Sequence, residues 1–191
     1  MLSVLADIGP KILVLSAGGA SGAGPTLARI VSRSLANADA DVTHIALADY
    51  PMPLLASGPG GNASVLPDNA RKIARHLAMH DGVLLISGEV NASLPAAVKN
   101  MIDWVSLVPG APWNGPPVVL ATLTGKTGGQ TAVGDHLRTV LEAAGVRDIP
   151  GTFVFRTAEL EAAGEGEGMV SIRIRAVTDM LLRAIPRQLP V

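Results

Sequence analysis

Short aliphatic runs alternate with longer amphipathic stretches along almost all of this chain, and that alternation restricts its possible folds more than any other feature. The runs fall at 11–16 (KILVLS), 41–47 (DVTHIAL), 82–87 (GVLLIS), 117–124 (PVVLATLT) and 149–155, each followed by a stretch long enough for a helix. Helices are expected over about 25–37, 67–79, 95–107, 130–144 and 170–185, with Ile73 and Leu77 at the i,i+4 spacing of one helix face. Strand and helix in strict alternation specify βα units around a parallel sheet, hence an α/β three-layer sandwich. The run at 82–87 is apolar without a break, as a strand buried on both faces must be. With only two Phe, one Tyr and two Trp, the core has to be built from Ala, Val, Leu and Ile. A length of 191 residues suits one domain, 1–191, which at this size buries roughly 70% of the unfolded chain's surface. The stretch 48–66, rich in Pro, Gly, Ser and Asn, has no period and reads as a long surface loop, and 159–168 reads as a charged connector.

Several kinds of function are excluded by what the chain lacks. A formal net charge of −1 with no basic run offers nucleic acid or an anionic membrane no electrostatic footprint. The absence of cysteine removes disulfides, thiolate metal sites and Cys nucleophiles together. The four histidines, His44, His76, His80 and His136, fall on different elements or lack a carboxylate set, so no metal site is expected. No serine sits in a G-x-S-x-G elbow. The first ten residues carry no cationic segment and no window approaches 18 uninterrupted apolar residues, so a soluble cytoplasmic protein is the expectation.

In an open α/β sheet, ligands bind beyond the carboxyl ends of the strands, where the strand order reverses. After the first strand comes Ala17-Gly18-Gly19-Ala20-Ser21-Gly22-Ala23-Gly24, four glycines in eight residues just before a helix. Successive main-chain N–H groups in such a turn, backed by the positive end of the helix dipole, form a cradle for a phosphate, and the Ser21 and Thr26 hydroxyls add donors. The same glycines also suit a plain tight connection. The spacing is no clean G-x-G-x-x-G, and Asp41 stands at the wrong end of the second strand to hold a ribose. Gly125-Lys126-Thr127 has the look of a Walker A ending, yet Leu120 occupies the place of its first glycine. What remains there is a turn of small residues with one cation, comprising Thr124, Gly125, Lys126, Gly128 and Gly129. After the third strand, Gly88, Glu89, Val90, Asn91 and Ala92 form a small polar loop whose main chain could meet the edge of a planar ring. Ser93, two residues before Pro95, could instead simply cap the next helix.

The segment 88–104, GEVNASLPAAVKNMIDW, resembles P-E-Y-N-G-S-x-P-x-x-L-K-N-x-I-D-W, the signature of the NADPH-dependent FMN reductases, a family that includes quinone, azo and chromate reductases. Glu89, Asn91, Ser93, Pro95, Lys99, Asn100, Ile102, Asp103 and Trp104 carry the match. KILVLSAGG at the first strand, ALADYPMPLL after the second, and His136-Leu137-Arg138 after the Gly128-Gly129 turn extend it over roughly 11–155. The resemblance implies a flavodoxin-like sheet in the order 2-1-3-4-5 and a homodimer or homotetramer. It also implies FMN with its phosphate on the first loop and its ring against 89–92 and 124–129. NADPH or NADH would be the electron donor, and a small quinone-like molecule the acceptor. The first loop departs from the family's G-S-x-R-x-x-S-x-N by lacking the arginine, and Gly88 and Val90 stand where the family has proline and tyrosine. Those departures keep two other readings in view: a binding or regulatory module that has lost the flavin, and an electron carrier served by a protein partner. Trp104, Val105, Leu107 and Val108 could line either a subunit interface or the core.

Overall fold

The computed structural model describes residues 9–17, 22–56, 61, 63, 65–125, 132–162 and 168–186. Five strands, β1 (Lys11–Ser16), β2 (Asp41–Ala46), β3 (Gly82–Ser87), β4 (Val118–Thr124) and β5 (Thr152–Arg156), form one all-parallel sheet in the order β2-β1-β3-β4-β5. The three central strands are apolar almost throughout and buried end to end apart from Lys11, whereas β2 and β5, at the edges, are mostly exposed or half-buried. Reversal of the strand order between β1 and β3 places the ends of these two strands side by side, with Ser16 paired to Ile86 in register.

Among the described residues six α-helices cover the two faces: α1 (Ala23–Ala36), α2 (Asp68–Met79), α3 (Ala96–Ser106), α4 (Ala132–Ala144), α5 (Thr157–Ala162) and α6 (Met169–Ala184). Because successive strand residues point to opposite faces, Leu13 and Leu15 of β1 enter one core with α2, α3 and α4, while Ile12 and Val14 enter the other with α1 and α6. The longer helices dock through stripes of period 3.6. On α2 that stripe is Ala70, Ile73, Ala74 and Leu77, of which Ile73 and Leu77 each contribute about 1.5–3 kcal/mol by leaving water.

Two expectations from the sequence need correction. The fifth strand starts at Thr152 rather than at 149, because 149–151 precedes the pairing of Thr152 with Leu120. The region assigned to a connector from 159 begins instead as helix α5. Leu160 is buried in the α1–α6 core, and Glu159 is gripped by Arg156 Nε at 3.0 Å and by Arg173 at 2.7 Å. Trp104 and Val105 are fully buried, so of the four candidates for an interface only Leu107 and Val108 reach the surface. Lys99 and Asp103 form an i,i+4 pair, at 2.7 Å on the exposed side of α3, a contribution of only a few tenths of a kcal/mol. Among the described residues no helix is long and apolar enough to cross a membrane, and no group of three or more His, Cys, Asp or Glu side chains could hold a metal.

Candidate functional site at the carboxyl edge

Parallel strands deliver their carboxyl ends to one edge, and most of the expected site meets there. Ala17 continues β1 and donates its N–H to the Ile86 carbonyl at 2.8 Å, which locks the ends of β1 and β3 together. Gly88 follows β3; Thr124 and Gly125 close β4, with Thr157 donating its hydroxyl to the Thr124 carbonyl at 3.4 Å. Gly22, Gly24 and Thr26 form the start of α1 at the same edge. Gly18, Gly19, Ser21, Lys126, Gly128 and Gly129 lie outside the described residues.

The start of α1 is bare main chain. Gly22, at φ 105, precedes the helix and has no side chain to cap it; Pro25 brings no N–H, and no acidic residue stands in the first turn. Among the described residues the amides of Ala23 and Gly24 have no acceptor outside the helix, and they stand at the positive end of its dipole. A Cβ on Gly24 would come 3.3 Å from the Ala17 carbonyl oxygen and 3.7 Å from Leu123 Cδ1, so a side chain there would crowd the close approach of helix and strand end. At Gly88 and Gly125 the reverse holds. A Cβ on either would meet no described atom within 4 Å, so among the described residues the ends of the adjacent β3 and β4 leave space for a flat group.

Beside that space the chain turns back on itself. Val90 and Ser93 exchange both main-chain hydrogen bonds, N–H to O at 2.9 and 3.0 Å, and between them Asn91 (φ 51) and Ala92 (φ 60) are both left-handed. Two positive φ values in succession belong to a type I′ turn, for which Asn-Gly is the favoured pair. Asn tolerates the conformation; alanine does so at a cost of about 1–2 kcal/mol. Val90, Asn91 and Ala92 are exposed, whereas Glu89 and Gly88 are half-buried. Ser93 does not cap α3, whose N-cap is Pro95 without a side-chain bond. Its hydroxyl pairs instead with His136 Nδ1 at 3.1 Å, across to α4.

Sequence reasoning also passed over the Ser16–His44 pair. Val14 is the register partner of His44, so Ser16 lies one side-chain step nearer the site on the same face, and His44 Nε2 reaches its buried hydroxyl at 2.8 Å. Nothing in the spacing of two residues on separate strands announces such a contact. Burial lowers the pKa of His44, with Asp49 offsetting part of the effect; His76 is lowered by burial and then by His80 and Arg75. Their folded-state values lie below the ordinary value of about 6.5, so on acidification the unfolded chain takes up the proton first. This stability is complete above about pH 6.5 and is lost as pH falls from there through the lower folded values. The urea midpoint is expected to be flat between about pH 8 and pH 7 and to decline below about pH 6.5, and the double variant His44→Gln, His76→Gln to decline less over that window.

A family model described as NADPH-dependent FMN reductase matches residues 10–159, from the start of β1 into α5. The chain belongs to this family. A quinone reductase of Escherichia coli strain K12 is 35% identical over 75 residues, which are 39% of this chain and 40% of that protein. A 2-hydroxy-1,4-benzoquinone reductase of a Burkholderia species is 38% identical over 80 residues, 40% of this chain and 43% of the relative. The chain thus spans about two-fifths of the length of the curated relatives it matches. Among solved structures, an NADH:FMN oxidoreductase in its apo form superposes with a TM-score of 0.72 at 19% identity, over 94% of this chain and 91% of that one. A flavodoxin variant from Pseudomonas aeruginosa gives 0.59 at 17% identity, over 90% and 98%. Both share the flavodoxin-like fold.

Membership of the family brings FMN with it, and the residues of the edge fit that group. Among the described residues, the helix start with no side-chain cap suits a phosphate, the uncrowded Gly88 and Gly125 suit a ring, and the exposed turn tip stands beside them.

Proposed function

We propose that the chain is an NAD(P)H-dependent FMN oxidoreductase that passes electrons to a small quinone-like acceptor. The observation that carries this reading is that, among the described residues, nothing crowds Gly88 and Gly125 at the ends of β3 and β4, at the same edge as the uncapped start of α1, in a member of the FMN reductase family. Ala17, Gly18, Gly19, Ser21, Gly22, Gly24 and Thr26 would hold the phosphate. Gly88, Glu89, Val90, Asn91 and Ala92 would border the ring on one side, and Thr124, Gly125, Lys126, Gly128 and Gly129 on the other. Bound there, FMN supplies two-electron redox chemistry between a nicotinamide and the acceptor. The protein's part is to bind and orient, so no side chain need act as acid or base. Without the family's loop arginine the anion is held by neutral amides, which forgoes a charge-assisted bond of about 1.5–3 kcal/mol. The quinone-like acceptor is supported by the names of the Escherichia coli and Burkholderia relatives. A homo-oligomer belongs to the same reading, with the surface groove between α3 and α4, lined by Leu55, Leu107 and Val140, as its contact face.

Titration of the purified protein with FMN tests the proposal. Flavin fluorescence is expected to be quenched with a Kd in the micromolar range, about 1–50 μM, and the complex to bleach with NADPH or NADH and recover its colour with a benzoquinone. Absence of quenching at about 100 μM FMN would overturn the reading in favour of a flavin-free binding module. Bleaching by dithionite but by neither nicotinamide would overturn it in favour of an electron carrier.

A further inference from the structure

The turn at 90–93 is short, exposed at its tip and held in a conformation that one of its residues resists. Ala92 has no side-chain polar group with which to support a left-handed backbone, and Val90 is 53% exposed, so packing adds little. The mutual bonds of Val90 and Ser93 close the turn on itself without fixing where it stands relative to the sheet. Among the described contacts of 90–93, the Ser93 hydroxyl is the side-chain group bonded to another element, and its partner is His136 Nδ1 at 3.1 Å. His136 is firmly based: Val133 and Leu137 on the same helix are fully buried in the core beneath. A post on the helix that follows β4 therefore holds a turn that follows β3, across the two strand ends that carry Gly88 and Gly125.

We propose that His136 is a positioning residue of the flavin site. Through Ser93 it keeps the turn 90–93 in its left-handed form and in place beside the ring. This rests on the FMN reading above, and the experiment separates the two.

Amide hydrogen exchange at Val90 and Ser93 is measured without flavin, and the FMN Kd by fluorescence, in the wild type, His136→Ala, Ser93→Ala, the double variant and His136→Asn. In the two alanine variants exchange is expected to quicken and Kd to rise by about threefold to tenfold, the range one neutral hydrogen bond spans. The double variant is expected to be no worse than the worse single one, since both remove the same bond. His136→Asn, which keeps a polar group on a short stem, is expected to return both readings to within about twofold of the wild type. His136 is exposed, so these variants are expected to fold. Unchanged exchange in His136→Ala, additive losses in the double variant, or faster exchange with an unaltered Kd would each overturn the assignment. A wild type that binds no FMN would end the FMN reading and with it the role at the ring, whereas normal FMN binding with unchanged exchange in His136→Ala would end this inference alone.

Discussion

Replacement of Gly88 or Gly125 by leucine is expected to weaken FMN binding by about a hundredfold or more while moving the apo protein's stability by less than about 1 kcal/mol. Neither glycine has a positive φ, and a Cβ on either meets no described atom within 4 Å, so among the described residues there is space for an added side chain. That same space is where a ring bordered by the ends of β3 and β4 would lie. Overlap between a leucine and a rigid ring costs a few kcal/mol, since neither can shrink and the sheet end behind them is close-packed. Gly24 is a poorer probe, because a Cβ 3.3 Å from the Ala17 carbonyl would disturb the fold as well as the site. The check is paired: a urea midpoint for each apo variant and an FMN titration alongside. Wild-type affinity in both variants would place the ring elsewhere and remove the observation on which the proposed function stands.

The sequence made some of this architecture plain and hid the rest for physical reasons. GVLLIS could be read as a central strand because burial on both faces leaves no room for polar residues, and β3 is buried at every position. The glycines and small residues at the strand ends could be placed at one edge because parallel βα units permit nothing else. Helix α5 was hidden because six residues are too few to show a period, and its stability comes from Leu160 and from the ion pair of Glu159 with Arg173, fourteen residues away in sequence. Ser93 read as a helix cap because capping is a local rule, whereas its actual partner, His136, is 43 residues downstream. Ser16 and His44 are a similar case, 28 residues apart and joined only by the register of β1 against β2. Contacts within one element leave a period in the sequence; contacts set by strand order do not.

The KNMIDW segment illustrates how a recognisable pattern can mark a structural task instead of a chemical one, and it yields the largest stability effect expected in the chain. Trp104 is fully buried, and its indole Nε1 donates to the Pro53 carbonyl at 2.7 Å. Asn100, one turn earlier on α3, donates its Nδ2 to the same carbonyl at 3.0 Å, and its Oδ1 accepts from the Leu55 N–H at 2.8 Å. The aperiodic loop after β2 is thus fastened to α3 by three bonds to two side chains at i,i+4 spacing. Trp104→Ala removes the largest class of core side chain and leaves a cavity, a loss of about 3–5 kcal/mol, to which the lost hydrogen bond adds about 1 kcal/mol. For a domain of this size the Tm is expected to fall by roughly 10–15 °C. Trp104→Phe keeps most of the volume and loses the donor, so a smaller loss, about 1–2 kcal/mol, is expected. Calorimetry on the two variants orders them, and the order matters: a Trp104→Phe loss as large as that of Trp104→Ala would mean that the bond to Pro53 dominates over packing. A Tm for Trp104→Ala within about 2 °C of the wild type would mean that the indole is not in the core at all.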